Sequence, residues 1–190
     1  SLDAAVQRLR DVVDEAAGGR ALVVGLSLGG YVAIEFARRW PDKAAGLVLT
    51  GCSGNPRGVL SLIPATVALF TRAVGDRWLT FINEINFRVR YGDELAREQL
   101  DAGFFFTAMQ DALKQLRGND FRRRLKAYPG PVLILNGERD TLFRITELTF
   151  LTAAQDARLQ LIRDAGHVAN LEEPEAYGRA LRRFARSLDW

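Results

Sequence analysis

The feature that most constrains this chain is a short apolar run, Ala21, Leu22, Val23 and Val24, that passes through Gly25, Leu26, Ser27, Leu28, Gly29 and Gly30 straight into a helical pattern. A continuous apolar run of that length is what a strand buried on both faces of a parallel sheet requires. Val32, Ala33, Phe36, Ala37 and Trp40 then fall on one helical face, and Pro41 ends the helix. Residues 46–49 restore the apolar run at once. Strand, helix, strand with tight joints reads as a βαβ unit with a right-handed crossover. Ahead of it, Val6, Leu9, Val12, Val13 and Ala16 draw one stripe on a helix over residues 3–17, which Gly18 and Gly19 stop. The predicted class is α/β with a mostly parallel sheet.

A chain of 190 residues holds one hydrophobic core and is too short for two ordinary domains. With 48% hydrophobic and 26% charged residues it excludes disordered, collagenous and simple fibrous classes. It has no apolar stretch long enough to span a bilayer and opens without the basic-then-apolar layout of a secretory signal, so the expectation is a cytoplasmic protein with no membrane partner. Cys52 and His167 are each the sole residue of their kind, too few for a disulfide or a structural zinc site. The net charge is only +3 and the arginines are scattered, so nucleic acid is not the expected partner. The tightest basic cluster is Arg122, Arg123, Arg124 and Lys126.

Residues 54–128 follow helical spacing without a buried strand and carry more apolar surface than a connecting loop needs, including Leu60, Leu62, Ile63, Leu69, Phe70, Trp78 and Phe87. They are read as an inserted helical region, with residues 1–53 and 129–190 forming the core. After Pro129, Gly130 and Pro131 the strand signal returns at residues 132–135, then come a Gly-containing turn, a helix over residues 146–154 and a strand at 159–162. A closing helix over residues 173–188 places Tyr177, Leu181, Phe184 and Leu188 on one face, with Arg179, Arg182, Arg183 and Arg186 on a solvated one.

Ser27 lies between strand and helix in the G-x-S-x-G setting of a strained turn that exposes a serine hydroxyl above the sheet. Side chains two residues either side would strike strand or helix, which accounts for the glycines. The competing reading of Ser27 is a helix N-cap. A serine hydroxyl needs a base, and His167, in the loop after the last predicted strand, is the one imidazole present. An acceptor must then fix its tautomer, and either Glu138 or Asp140, after the third strand, can supply it. The competing reading of Asp140 is a turn or cap residue.

In their order Ser27, Asp140, His167, and in the motifs running from Gly25 to Gly30, Gly137 to Asp140 and Gly166 to Pro174, these residues resemble the α/β-hydrolase fold superfamily. The resemblance implies a nucleophilic Ser27, a general base His167, an orienting acid Asp140 and one oxyanion-hole N–H from Leu28, with no cofactor. It assigns the strands to the fifth through eighth of the family's sheet and residues 54–128 to a helical cap, where Trp78, Leu79, Phe104, Phe105 and Phe106 are expected to line a substrate pocket. The competing reading is that these side chains merely seat the cap. The expected substrate is a small, largely apolar carboxylic ester, lactone or thioester. A non-hydrolytic receptor-like member of the fold, an acyltransferase and a cofactor-free peroxidase are the alternatives.

The chain departs from the family by opening on the helix before the fifth strand, without the loop that donates the second oxyanion N–H, whose loss typically costs about 10²- to 10³-fold in rate. The first strand is accordingly expected to have one bare edge and two poorly covered faces. Either the sequence is part of a longer protein, or two copies pair as a homodimer through residues 21–25.

Overall fold

The computed structural model describes residues 1–57, 66, 69, 70, 74–103 and 105–188, with the backbone alone for residues 76, 99, 102 and 107. Leu60, Leu62, Ile63 and Phe104 therefore lie outside the described residues. Helix α1 (Leu2–Ala16) opens on Ser1, whose hydroxyl accepts the Ala4 N–H, and buries Val6 and Val13. Strand β1 (Ala21–Leu26), helix α2 (Leu28–Arg39), a 3₁₀ turn (Pro41–Lys43) and strand β2 (Ala44–Thr50) complete the βαβ unit. Strands β3 (Pro131–Gly137) and β4 (Asp156–Ile162) extend it to a parallel sheet of order β1-β2-β3-β4.

All of β2 is buried and so is β3 beyond Pro131, as continuous apolar runs in a two-sided parallel sheet demand. Alternation sorts the strand residues: Leu47, Leu49, Val132 and Ile134 join α1 and α2 on one face. Val48, Leu133 and Leu135 pack on the other face against Tyr177, Ala180 and Phe184 of the closing helix. Among the described residues β1 pairs with β2 and lies at the end of the sheet. Only one of its faces is poorly covered, however: Val24 is 44% exposed, whereas Val23 on the opposite face is buried under the helices.

Between β2 and β3 the described residues form helices α3 (Asp76–Tyr91), α4 (Asp93–Ala102), α5 (Phe106–Leu116) and α6 (Phe121–Lys126), with no strand among them. Phe121, Leu125 and Tyr128 are buried in the main core cluster with Tyr31 and Phe36. The expected helix over 146–154 is present but shorter, as α8 (Glu147–Leu151), and a further short helix, α7 (Thr141–Arg144), precedes it directly after the Asp140 turn. The expected closing helix over 173–188 is α10 (Pro174–Ala185), opened by Pro174, and a short helix, α9 (Ala169–Glu172), precedes it. Arg179, Arg182, Arg183 and Arg186 are all exposed. Arg124 of the basic cluster is a structural residue, paired with buried Glu35 at 3.0 Å and stacked over Phe121.

Candidate active site

Strand β1 turns into α2 at Ser27, whose φ of 52° and ψ of −119° are a conformation that side chains other than glycine rarely occupy. Holding it costs on the order of 1–3 kcal/mol, so the surroundings must impose it. They do: the Ser27 N–H donates to Thr50 O at the tip of β2 (2.8 Å), and Gly30 N–H donates back to Ser27 O (3.0 Å). A Cβ on Gly25 would stand 2.6 Å from Gly29 O and Gly30 Cα, and one on Gly30 would stand 2.3 Å from Cys52 Sγ. At Gly29 there is open space. The squeezed glycines are thus two before and three after the serine, because Gly30 is the residue that the helical turn brings against Cys52. Ser27 occupies the N-cap position of α2, yet its hydroxyl makes no capping bond.

Asp140 follows β3 and is 6% exposed. Its Oδ2 lies 2.9 Å from His167 Nδ1, and although it heads α7 it forms no capping bond there. Glu138, the other candidate acid, is exposed and accepts from Asp164 N–H. A carboxylate facing Nδ1 makes that nitrogen the donor and leaves Nε2 free to accept a proton. The Phe143 ring stacks on the imidazole at 4.9 Å and 21°. Beneath the pair runs Gly51, with φ of +56°, where a Cβ would stand 2.6 Å from His167 Cε1 and 3.3 Å from Asp140 Oδ2. Gly51 N–H donates to buried Asn136 Oδ1 (2.9 Å), and Asn136 Nδ2 donates to buried Glu147 Oε2 (3.0 Å). Ser27 and the histidine–acid pair therefore converge on successive residues of the β2 tip: Thr50 holds the serine turn, and Gly51 admits the imidazole.

Sequence reasoning missed Gly51, Phe143 and Asn136. A glycine closing the second buried run was the one available signal; nothing in the spacing marks the other two. Cys52, beneath the turn, is fully buried, and burial together with the charge of Asp140 pushes its thiol up to about 12, so it is not a competing nucleophile. Among the described residues no group of His, Cys, Asp and Glu could hold a metal ion, and no helix is long and apolar enough to cross a membrane.

Ser27 opens on a cavity of about 210 Å³. Its walls are Leu28 and Tyr31 of α2, Met109, Leu113 and Leu116 of α5, and Leu142, Phe143 and Ile145 around α7, completed by Gly54, Asn55, Pro56 and Thr146. Among the described residues no charged side chain lines it. Its polar groups are engaged: Tyr31 donates to Gly54 O, and Asn55 serves Phe121 N–H and Asp120. Burial also raises the Tyr31 pKa, which keeps that phenol neutral. Trp78, Leu79, Phe105 and Phe106 are not among the lining residues. Trp78 and Phe105 are 63% and 73% exposed, whereas Leu79 and Phe106 are buried. Met109 and Leu113 of α5 line the cavity, whereas Phe106, a turn earlier on the same stripe of that helix, is buried without lining it.

A parallel sheet carrying a serine turn and a histidine–carboxylate pair at its carboxyl end defines the α/β-hydrolase class. The sequence matches the alpha/beta hydrolase family over residues 1–180, and the chain belongs to that family. It is 31% identical over 183 residues to a pimeloyl-[acyl-carrier protein] methyl ester esterase of Aromatoleum aromaticum, covering 82% of this chain and 70% of that protein. It is 25% identical over 193 residues to a 2-hydroxy-6-oxononadienedioate/2-hydroxy-6-oxononatrienedioate hydrolase of Klebsiella pneumoniae, covering 93% of this chain and 66% of that one. The chain thus spans about two thirds of the length of these curated relatives. Among solved structures, a thermophilic esterase from Thermogutta terrifontis matches with a TM-score of 0.71 at 24% identity, over 92% of this chain and 68% of that one, a likeness of fold.

Proposed function

We propose that the protein is a serine hydrolase that cleaves a small, largely apolar carboxylic ester, lactone or thioester through an acyl-enzyme. The observation that carries this reading is a strained serine turn held by Thr50 and a histidine–aspartate pair seated over the adjacent Gly51, beside a cavity whose described lining carries no charge. Ser27 Oγ attacks the carbonyl carbon while His167 Nε2 takes its proton, and Asp140 stabilises the imidazolium. The developing oxyanion is met by the Leu28 N–H, which, at the first position of α2, has no intrahelical acceptor. Collapse expels the alcohol or thiol with the proton from His167, and water repeats the sequence to free the acid.

The apolar side chains among the described lining residues support an ester-like substrate of low polarity. A fluorophosphonate probe tests the assignment. We expect covalent mass on Ser27, lost in Ser27→Ala and strongly reduced in His167→Ala; a folded, unlabelled protein would instead support a receptor-like role.

A further inference from the structure

His167 sits in a loop fastened at both ends. On one side, Arg139 N–H donates to Ala165 O (2.7 Å). A Cβ on Gly137 would stand 2.1 Å from Gly166 O, so the acid turn and the histidine loop lie in direct backbone contact. On the other side, Gly166 N–H donates to Glu172 Oε2 at 2.7 Å. Glu172 ends α9, and its own N–H is held by Val168 O (3.0 Å), so residues 166–172 form a ring closed by one carboxylate, with His167 inside it. The other carboxylate oxygen, Oε1, lies 3.4 Å from the hydroxyl of Tyr91, the last residue of α3 in the inserted region. Around that bond the helices and the loop stand apart across a cleft of about 450 Å³ lined by Arg90, Leu95, Asp164 and Leu171.

We propose that Glu172 is a positioning residue: it fastens the loop bearing His167 and, through Tyr91, makes the imidazole's alignment with Asp140 depend on the docking of helix α3. A carboxylate that accepts from both partners gains two hydrogen bonds to a charged acceptor and withdraws both when it is truncated. The catalytic consequence rests on His167 being the base of the proposed reaction, whereas the structural claim does not.

Because the chain has a single histidine, the proton–nitrogen spectrum of its ring reports the site without any turnover. In the whole protein we expect one protected Nδ1–H resonance, broadened or lost in Glu172→Ala, retained in Glu172→Gln, which keeps an acceptor for Gly166, and shifted in Tyr91→Phe. With an ester substrate, Glu172→Ala lowers kcat by about 10²-fold with KM little changed, the size of effect that a small misplacement of a catalytic group produces. If Glu172→Ala does not fold, Tyr91→Phe alone decides. An unshifted ring resonance in a folded Tyr91→Phe overturns the coupling to α3, and an unchanged one in a folded Glu172→Ala overturns the positioning role. A resonance lost in Glu172→Ala while Ser27 stays unlabelled by the fluorophosphonate upholds the positioning role and removes the hydrolase reading instead.

Discussion

The strand tips around Ser27 and helix α3 of the inserted region are held by different means. At the strand tips every atom is crowded: Gly25, Gly30, Gly51 and Gly137 each lie where a Cβ would come within 3 Å of a neighbour, and Ser27 is held outside ordinary backbone conformations. On helix α3, by contrast, Trp78, Phe81, Ile82 and Val89 are all more than half exposed. The ion pairs repeat the contrast. Buried Glu35 of α2 is clasped by Arg38, Arg39 and Arg124, whereas Arg88 of α3 meets Glu84 and Asp93 in solvent. The difference teaches that the geometry at the strand tips is fixed by backbone contacts that few substitutions leave intact, while the exposed face of α3, away from the cavity, can change side chains freely.

Four substitutions sharpen or break that contrast. Gly51→Ala should have the largest effect, because its Cβ would displace the imidazole and its positive φ adds strain: we expect about a 10²-fold fall in kcat, and near-normal turnover would show that the tip is not rigid. Glu35→Gln should cost about 2 kcal/mol in urea melts, less than a fully buried pair because the arginines reach solvent. Burial alone would raise that carboxyl, but hydrogen bonds from Arg38 and Arg39 and the charge of Arg124 bring it from 4.5 down to about 2. A folded value below the unfolded one means that the stabilisation is present above pH 4.5 and lost as pH falls toward 2, so wild type should lose stability in that window more steeply than Glu35→Gln. Parallel pH curves for the two proteins would count against this clasp.

Smaller effects belong to the helical wall. Met109→Trp should shorten the preferred acyl chain, with kcat/KM for the longest accepted ester falling about tenfold while the shortest is untouched, as the loss of room for a methylene or two implies. An equal fall for all chain lengths would place α5 outside the acyl pocket. Trp78→Ser, at an exposed position that does not line the cavity, should change stability by no more than about 0.5 kcal/mol and leave chain preference alone.

What was legible in the sequence follows the same division. The apolar runs marked all four strands to within three residues at either end, most tightly constrained at β2 and β3, where burial on both faces admits almost nothing else. Of the proposed site, the sequence order placed Ser27, Asp140 and His167 after strand ends, and the structure shows the last two paired at 2.9 Å. The wall residues were not legible, since Phe106, Met109 and Leu113 share one helical stripe and periodicity alone cannot say which turns of it reach the cavity. Nor was the Glu172–Gly166 bond, which joins residues six apart across a loop rather than along a helix. Which flanking glycine is squeezed also escaped the pattern, because Gly29 and Gly30 differ only in whether Cys52 stands opposite.

The most direct test is mass spectrometry of the protein quenched during turnover of p-nitrophenyl butyrate. A butyryl group on the peptide containing Ser27, absent in Ser27→Ala together with the hydrolysis, is the result expected here. Hydrolysis that persists in Ser27→Ala, or that proceeds in the unmodified protein with no acyl group ever found on Ser27, would contradict it.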